Sequence, residues 1–142
     1  MNDLHSNIRT KTVISPLAIG SNATKSGIVI DRQGYGGVEF IVSYGAVTTT
    51  GTVVTLVCTE GDTTGALTSV ADADLIGTET LASLAAGARV AGTGKEVTKR
   101  LGYKGDKRYV TVDAVQTGTT SVGVIGVAAI LHSPELAPQD NP

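Results

Sequence analysis

The sequence predicts an all-β protein, built as a sandwich or barrel of roughly eight antiparallel strands. Short stretches rich in Val, Ile and Thr alternate between apolar and polar positions, which is the period of a half-buried strand. Glycine-rich turns separate these stretches, and 18 glycines but only 4 prolines occur in 142 residues. The turns recur at intervals that suit a β-sandwich or barrel. We therefore expect one domain covering residues 1–142.

The first part of the chain is predicted to join the sheet at its edge. Residues 1–11 are polar and are expected to form a flexible arm. Residues 12–19 are apolar but contain Pro16, whose missing amide proton limits them to an edge strand or an extended segment. Residues 26–31 (SGIVID) are predicted to form a short strand, followed by a turn at 34–37 (GYGG).

Two well-patterned strands follow at residues 38–44 and 52–60, with a turn region between them. In each strand every second residue is apolar, so that one side faces the core. The inward positions predicted from this alternation are Val38, Phe40, Val42, Tyr44, Val54, Leu56 and Cys58. Cys58 is therefore expected to be a buried, unreactive thiol.

The stretch 66–87 fits two interpretations. It contains good helix formers, so a short helix is one of them. Its Thr and Gly interruptions, and the β pattern on both sides, favour a loop with short strands instead. We expect the loop with short strands.

The remaining strands are predicted at 96–103, 108–115 and 121–131. The last of these (SVGVIGVAAIL) is apolar at both sets of alternating positions, which predicts a central strand or a strand at a subunit interface. The tail 132–142 holds three of the four prolines and is expected to be a second extended, flexible arm.

Composition argues against several classes of function. The net charge is −2, whereas a nucleic-acid-binding protein usually carries a basic excess, so we expect no direct nucleic-acid partner. No apolar run approaches the roughly 18 residues that span a bilayer, and the N-terminus has no apolar signal core. We expect no membrane partner and synthesis in the cytoplasm. The single cysteine rules out an intrachain disulfide.

The sequence contains almost no candidates for chemistry. His5 and His132 are far apart and lack further ligands at zinc-site spacing. Asp72 and Asp74 could contribute oxygen ligands to Ca²⁺, but the regular ligand spacing of a calcium loop is missing, and a solvated acidic loop is the better interpretation. We therefore predict no catalytic residues, no metal and no cofactor, and a protein that is not an enzyme.

Charged residues are segregated along the chain, and this segregation supplies the candidate binding residues. Six of the 11 basic residues fall within 95–108, and residues 34–87 contain acidic residues but no basic one. Opposite charges of this kind could bind a partner or each other, or could belong to two solvated loops of one monomer. The partner-binding residues predicted from this pattern are Lys99, Arg100, Tyr103, Lys104, Lys107, Arg108, Asp72 and Asp74.

Four stretches together resemble a known family. They are DLHSNI at 3–8, ADADLIGTE at 71–79, KRLGYKGDKRYV at 99–110 and VAAILHSPELAP at 127–138. In combination they resemble the capsid cement (decoration) proteins of tailed phages, among them that of a Bordetella podovirus. The resemblance covers most of the chain and gives no residue-by-residue contact map.

The resemblance implies a specific fold and role. The fold would be a jelly-roll β-sandwich, and the protein would sit on the outer surface of an icosahedral capsid in the virion. It would tie major capsid protein subunits together as a homodimer, with a trimer as the alternative, after synthesis in the cytoplasm of a bacterial host. The competing hypothesis is a tail- or fibre-associated β-module of the virion, which would be present in few copies.

Overall fold

The computed structural model describes residues 3–20, 22–45, 53–84, 97–118 and 123–136. These residues contain ten strands, one short α-helix, α1 (Glu79–Ala82), and two single-turn 3₁₀ helices (His5–Asn7 and Asp72–Asp74), which confirms the predicted all-β class. The strands are β1 (Ile8–Ile19), β2 (Thr24–Lys25), β3 (Ile30–Asp31), β4 (Tyr35–Tyr44), β5 (Val53–Gly61), β6 (Thr68–Ser69), β7 (Leu75–Ile76), β8 (Val97–Tyr103), β9 (Tyr109–Thr117) and β10 (Gly123–Pro134). No helix among the described residues is long and apolar enough to cross a membrane.

The strands form two antiparallel sheets in jelly-roll order. Sheet A has the order β1-β10-β4-β8-β7, and sheet B has the order β2-β9-β5-β6 with β3 also on β9. The pairs β1–β10, β2/β3–β9, β4–β8 and β5–β6 show that the chain runs as one long hairpin. Winding such a hairpin into two packed sheets produces a jelly roll. The predicted count of about eight strands becomes ten because one strand is split into β2 and β3, and β7 is added.

The core lies between the sheets and follows the alternation seen in the sequence. All seven predicted inward positions on β4 and β5 are buried. Sheet A adds Leu101, Tyr103, Ile125, Val127, Ala129 and Leu131, and sheet B adds Ile30, Val110, Val112 and Ala114. Strand β10 lies between β1 and β4, so the prediction of a central strand at 121–131 is confirmed for its described part. The burial of these apolar side chains between the two sheets is the main favourable contribution to folding.

The predicted strand 26–31 is wrong over most of its length. Only Ile30–Asp31 is a strand, because the residues before it leave the ladder of sheet B and lean toward sheet A. The amide of Gly27 donates to the carboxylate of Asp113 at 2.9 Å, and the amide of Ile28 donates to the Val13 carbonyl at 2.8 Å. A side chain and the neighbouring sheet thus replace the bonds that a continuous strand would make.

The predicted arms are shorter than expected. Ile8 pairs with His132 in the β1–β10 ladder, so residues 8–11 are strand and not part of a flexible arm. In the same way, β10 continues to Pro134 and includes the first residues of the predicted C-terminal arm. The two chain ends are strand because they are the two ends of the long hairpin and pair with each other. Residues 1–2 and 137–142 lie outside the described residues.

Pro16 occupies the position that its chemistry requires. Strand β1 is at the edge of sheet A, as predicted, and its pairing with β10 shifts between Ile14 and Leu17. A proline is compatible with this irregular edge segment because no ladder bond needs its nitrogen.

Within 66–84, short strands and turns prevail over a long helix, as expected. The α-helical part is one turn, α1, which starts where the Thr78 hydroxyl accepts a bond from the Leu81 amide at 3.1 Å. Asp72–Asp74 form a single 3₁₀ turn. Residues 79–84, which we call the strap, run along the edge of β5 beyond its short pairing with β6. The remainder of the ambiguous stretch, 85–87, lies outside the described residues.

The strap satisfies backbone groups at the edge of β5. The Ser83 hydroxyl accepts from the Leu56 amide at 2.8 Å, and the Glu79 carboxylate accepts from the Cys58 amide. Leu84 exchanges two backbone bonds with Val54, at 2.8 and 3.0 Å. Since an exposed strand edge invites pairing with other chains, the strap closes this edge to such contacts.

The strap also joins the two sheets. Its carbonyl groups accept hydrogen bonds from two side chains of sheet A: the Tyr44 hydroxyl donates to Ala82 at 2.8 Å, and the Lys99 ammonium donates to Ser83 at 2.6 Å. The strap therefore connects the β5 edge of sheet B to strands β4 and β8 of sheet A.

Candidate interaction surfaces

The basic segment 97–108 pairs largely with acidic residues of the same chain. Arg108 makes two bonds to the Asp31 carboxylate, at 2.7 and 3.0 Å, which hold the pKa of Asp31 below its usual range. The Lys107 ammonium lies 2.9 Å from the Asp62 carboxylate. The charge segregation along the sequence is therefore used at least partly inside the monomer, and these two cations are engaged before any partner binds.

Tyr103 is not a surface residue. It is fully buried, its hydroxyl donates to the Glu60 carboxylate, and the same oxygen accepts from the Lys107 amide at 3.1 Å. Burial, together with the bond to Glu60, raises the pKa of the Tyr103 hydroxyl. The prediction that Tyr103 contacts a partner is therefore not supported by its position, because its ring belongs to the core of the sandwich.

Arg32 organises the loops around Tyr103. Its guanidinium donates to three backbone carbonyls, those of Lys107 at 2.5 Å, Gly105 at 2.6 Å and Tyr35 at 3.0 Å. It also lies over the Tyr103 ring, 5.5 Å from its centroid. The sequence gives no signal for this role, since only tertiary folding brings these carbonyls together around one side chain.

The other predicted binding residues lie at three places, one of which is the outer face of sheet A, where Arg100 lies beside Glu39. Lys99 is held by the strap, as described above. Asp72, Asp74 and Lys104 come together, because the Lys104 amide donates to the Asp74 carbonyl at 2.9 Å beside the β7–β8 pairing. Asp72 and Lys104 are exposed there. Among the described residues, no group of three or more His, Cys, Asp or Glu side chains could hold a metal ion.

The outer face of sheet A carries little charge. The outward positions of β1, β10, β4 and β8 that these ladders align are Ile8, Thr10, Thr12, Ala18, Val124, Gly126, Ala128, Ile130, His132, Gly37, Glu39, Ile41, Ser43, Thr98, Arg100 and Gly102. Within this set the only charged residues are Glu39 and Arg100, which pair with each other at 3.7 Å. On this face Ile41 of β4 pairs with Ala128 of β10, and contiguous apolar surface, where it is extensive, marks interaction sites.

A shallow depression of about 190 Å³ lies in the middle of this face. Its lining includes Pro16 of β1, Ile41 of β4, and the small residues Gly126 and Ala128 of β10. A Cβ at Gly126 would lie 3.1 Å from the Pro16 ring, so the glycine allows the edge strand to approach the central strand closely. The outer side of β10, which the sequence already indicated as apolar, thus forms part of an apolar surface depression.

The Cys58 thiol is part of the core, as predicted. It is fully buried on β5, and burial, followed by the nearby carboxylates of Glu79, Glu60 and Asp113, raises its pKa well above the usual range. A neutral thiol without solvent access is a poor nucleophile.

We therefore expect Cys58 to react with the thiol reagent DTNB only when the protein unfolds. In native buffer at mildly alkaline pH, the rate of the thiol reaction should be at least about a thousandfold lower than in denaturing urea. The measurement is the absorbance of released thionitrobenzoate with and without urea. Rapid stoichiometric reaction of the native protein would contradict the burial of this side chain.

No protein-family model matches the sequence, and no curated protein sequence matches it. Among solved structures, the fold is similar to that of PBSX exported protein XepA, with a TM-score of 0.58 and 15% sequence identity. That similarity covers 100% of this chain and 42% of the XepA chain. The VP2 subviral particle of infectious bursal disease virus is similar with a TM-score of 0.50 and 7% identity, over 88% of this chain and 32% of VP2.

At such identities these similarities concern the fold alone. This chain spans less than half of the length of each of these two proteins. The shared feature is a two-layered β architecture, which is compatible with many functions.

Proposed function

We propose that this chain is a non-enzymatic virion protein that binds the outside of an icosahedral capsid and cements neighbouring major capsid protein subunits. The observation that carries this proposal is the neutral, partly apolar outer face of sheet A, with its central depression at Gly126 and Ala128. Such a face is suited to lie against another protein surface.

Three further observations support the proposal. The fold is similar to that of a viral particle protein, VP2, and to that of an exported protein, XepA. The stretches that resemble phage cement proteins include residues 127–134 of β10, whose outer side forms part of the neutral face. The polar side chains around Tyr103 bond to one another and to the backbone of connecting loops, which suits a rigid structural part.

The proposed mechanism is thermodynamic linkage. A protein that binds the assembled shell, and not its separated subunits, stabilises the shell by mass action. On a repeated lattice, many weak contacts act together through avidity, especially if the protein binds as the homodimer that the family resemblance implies. The virion would then resist loss of its DNA at high temperature or osmotic stress.

The test is co-sedimentation of the purified protein with mature capsids that lack it, with the bound copies counted per capsid. We expect saturation at hundreds of copies, in a regular ratio to the major capsid protein. Saturation at a dozen copies or fewer would indicate a tail- or fibre-associated module instead, and absence of binding would refute the proposal. Capsids with the bound protein should also retain DNA at temperatures at which bare capsids release it.

A further inference from the structure

A second depression lies where α1 adjoins β7, the strand at one edge of sheet A. It has a volume of about 370 Å³ and is lined by Glu39, Ile76, Gly77, Leu81 and Arg100. We call it the corner depression. It continues the neutral outer face, because Ile76 pairs with Gly102, which in turn pairs with Glu39.

The backbone of the corner depression is shaped by glycines. A Cβ at Gly102 would lie 2.7 Å from the Glu39 carboxylate and 2.9 Å from the Ile76 Cβ, so only glycine lets these two side chains approach each other there. Gly77 has a φ of +86°, a conformation that ends β7 and turns the chain toward α1. The depression is therefore built by the fold and does not result from loosely placed side chains.

Apolar side chains at this site are exposed to an unusual degree. Ile76 is 55% exposed and Leu81 is 70% exposed, although both are large aliphatic residues. A single exposed leucine is common on protein surfaces, but two such residues lining one depression indicate a contact surface.

Arg100 differs from the other arginines with described contacts in how its guanidinium is used. Arg32 donates from all three of its nitrogens, and Arg108 makes two bonds to Asp31. The side chain of Arg100 is 81% exposed, and its described contact is one 3.7 Å approach of Nε to Glu39. Its terminal nitrogens can therefore receive a carboxylate in the two-bond geometry that arginine favours.

We propose that the corner depression binds an extended segment of another protein chain, in which a carboxylate side chain stands next to an aliphatic one. The carboxylate would bond to the Arg100 guanidinium, and the aliphatic side chain would pack against Ile76 and Leu81. Charge complementarity selects this occupant. Of the two charged side chains that line the depression, Arg100 is 81% exposed and Glu39 is 24% exposed, so the more accessible charge beside the two apolar side chains is positive. That the segment belongs to the major capsid protein rests on the function proposed above.

The site is tested first without any capsid. The ¹⁵N-labelled protein is titrated with the blocked peptide Ac-SALDAS-NH₂, and the backbone amide resonances are followed by NMR. We expect shifts at Ile76, Gly77, Leu81 and Arg100, with a dissociation constant on the order of 1 mM, since one exposed ion pair contributes little free energy. The control peptides Ac-SALNAS-NH₂ and Ac-SALKAS-NH₂ should bind at least about fivefold more weakly.

Three variants make the test specific. Glu39→Gln removes the carboxylate that competes for Arg100, so the acidic peptide should bind about threefold more tightly. Arg100→Glu should abolish its binding and allow Ac-SALKAS-NH₂ to bind instead. The matched control Lys25→Glu, which makes the same charge change at an exposed basic residue on β2 of sheet B, should alter neither peptide's binding. Equal binding of all three peptides, or shifts centred elsewhere, would overturn the proposal.

Capsid binding then separates this inference from the proposed function. If the wild-type protein binds capsids and Arg100→Glu reduces that affinity at least about tenfold while Lys25→Glu does not, the capsid protein supplies the segment. If the wild-type protein and Arg100→Glu bind capsids equally, the inference about the capsid contact is wrong although the proposed function stands. Selective binding of the acidic peptide without capsid binding would support the site and refute the function.

Discussion

Replacing Gly27 by alanine is expected to lower the free energy of unfolding by about 3 kcal/mol, which is a large effect for one methyl group. Gly27 lies where the chain leaves sheet B and approaches sheet A. A Cβ at this position would be 2.3 Å from the Val112 carbonyl oxygen and 2.7 Å from both the Thr111 hydroxyl and a Val13 methyl group.

The surroundings of Gly27 leave little room for adjustment. The 2.3 Å contact is to backbone in the middle of β9, which cannot move without breaking its ladder with β5. The amide of Gly27 is also held by the Asp113 carboxylate. The added methyl group must therefore displace the whole 26–29 segment. This displacement would weaken the hydrogen bonds that connect the segment to Asp113 in sheet B and to Val13 in sheet A.

The measurement for Gly27→Ala is equilibrium unfolding in urea, followed by circular dichroism. Gly65→Ala is the matched control, because a Cβ at Gly65 would have no neighbour within 4 Å, and it should change stability by less than about 0.5 kcal/mol. A loss for Gly27→Ala no larger than that of the control would show that the close approach of this segment to β9 is not real.

The second large effect is expected at Arg32. Removing its guanidinium by Arg32→Met should cost about 3 kcal/mol, because hydrogen bonds to charged groups contribute about 1.5–3 kcal/mol each and three carbonyls lose their donor. Part of this loss is recovered where water reaches the freed carbonyls, since the site is only half-buried. The loops that carry Tyr35, Gly105 and Lys107 should become more mobile.

The variant Arg32→Lys distinguishes the contribution of the guanidinium's donor geometry to stability from that of its positive charge. A lysine keeps the positive charge but cannot place three donors in the plane of a guanidinium, so we expect it to restore less than half of the lost stability. Arg100→Met is the matched control, because the Arg100 side chain is mostly exposed and its loss should change unfolding by less than about 0.5 kcal/mol. Unfolding of Arg32→Met at the same urea concentration as Arg100→Met would refute the role of this arginine.

The local pattern predicted the strands well where one face of a strand meets the core along its whole length. On β4 and β5 the alternation of apolar residues identified the inward side chains, including Cys58, since a buried face requires period two. The same reasoning failed at residues 26–31. There the apolar sequence is that of a strand, but bonds to Asp113 and Val13 take the chain out of the ladder.

The sequence could predict which charged residues form the basic segment. It could not predict which of them remain free of contacts within the chain and can bind a partner. Charge counting located the basic segment, yet it could not show that Arg108 is bonded to Asp31 and Lys107 to Asp62. It also could not show that Tyr103 is buried beneath Arg32. The corner depression was missed, although Arg100 was named, because its aliphatic residues lie in a different part of the chain.

By itself, the sequence determined the all-β class and the inward faces of the long strands, and it limited β10 to a central position or a subunit interface. These features depend on local periodicity, which any packed β layer must obey. Only the tertiary structure decided the pairing of the chain ends, the break before β3, and which charged side chains face each other. Those outcomes depend on contacts between residues far apart in sequence, and their energies arise only once both partners are brought together by the fold.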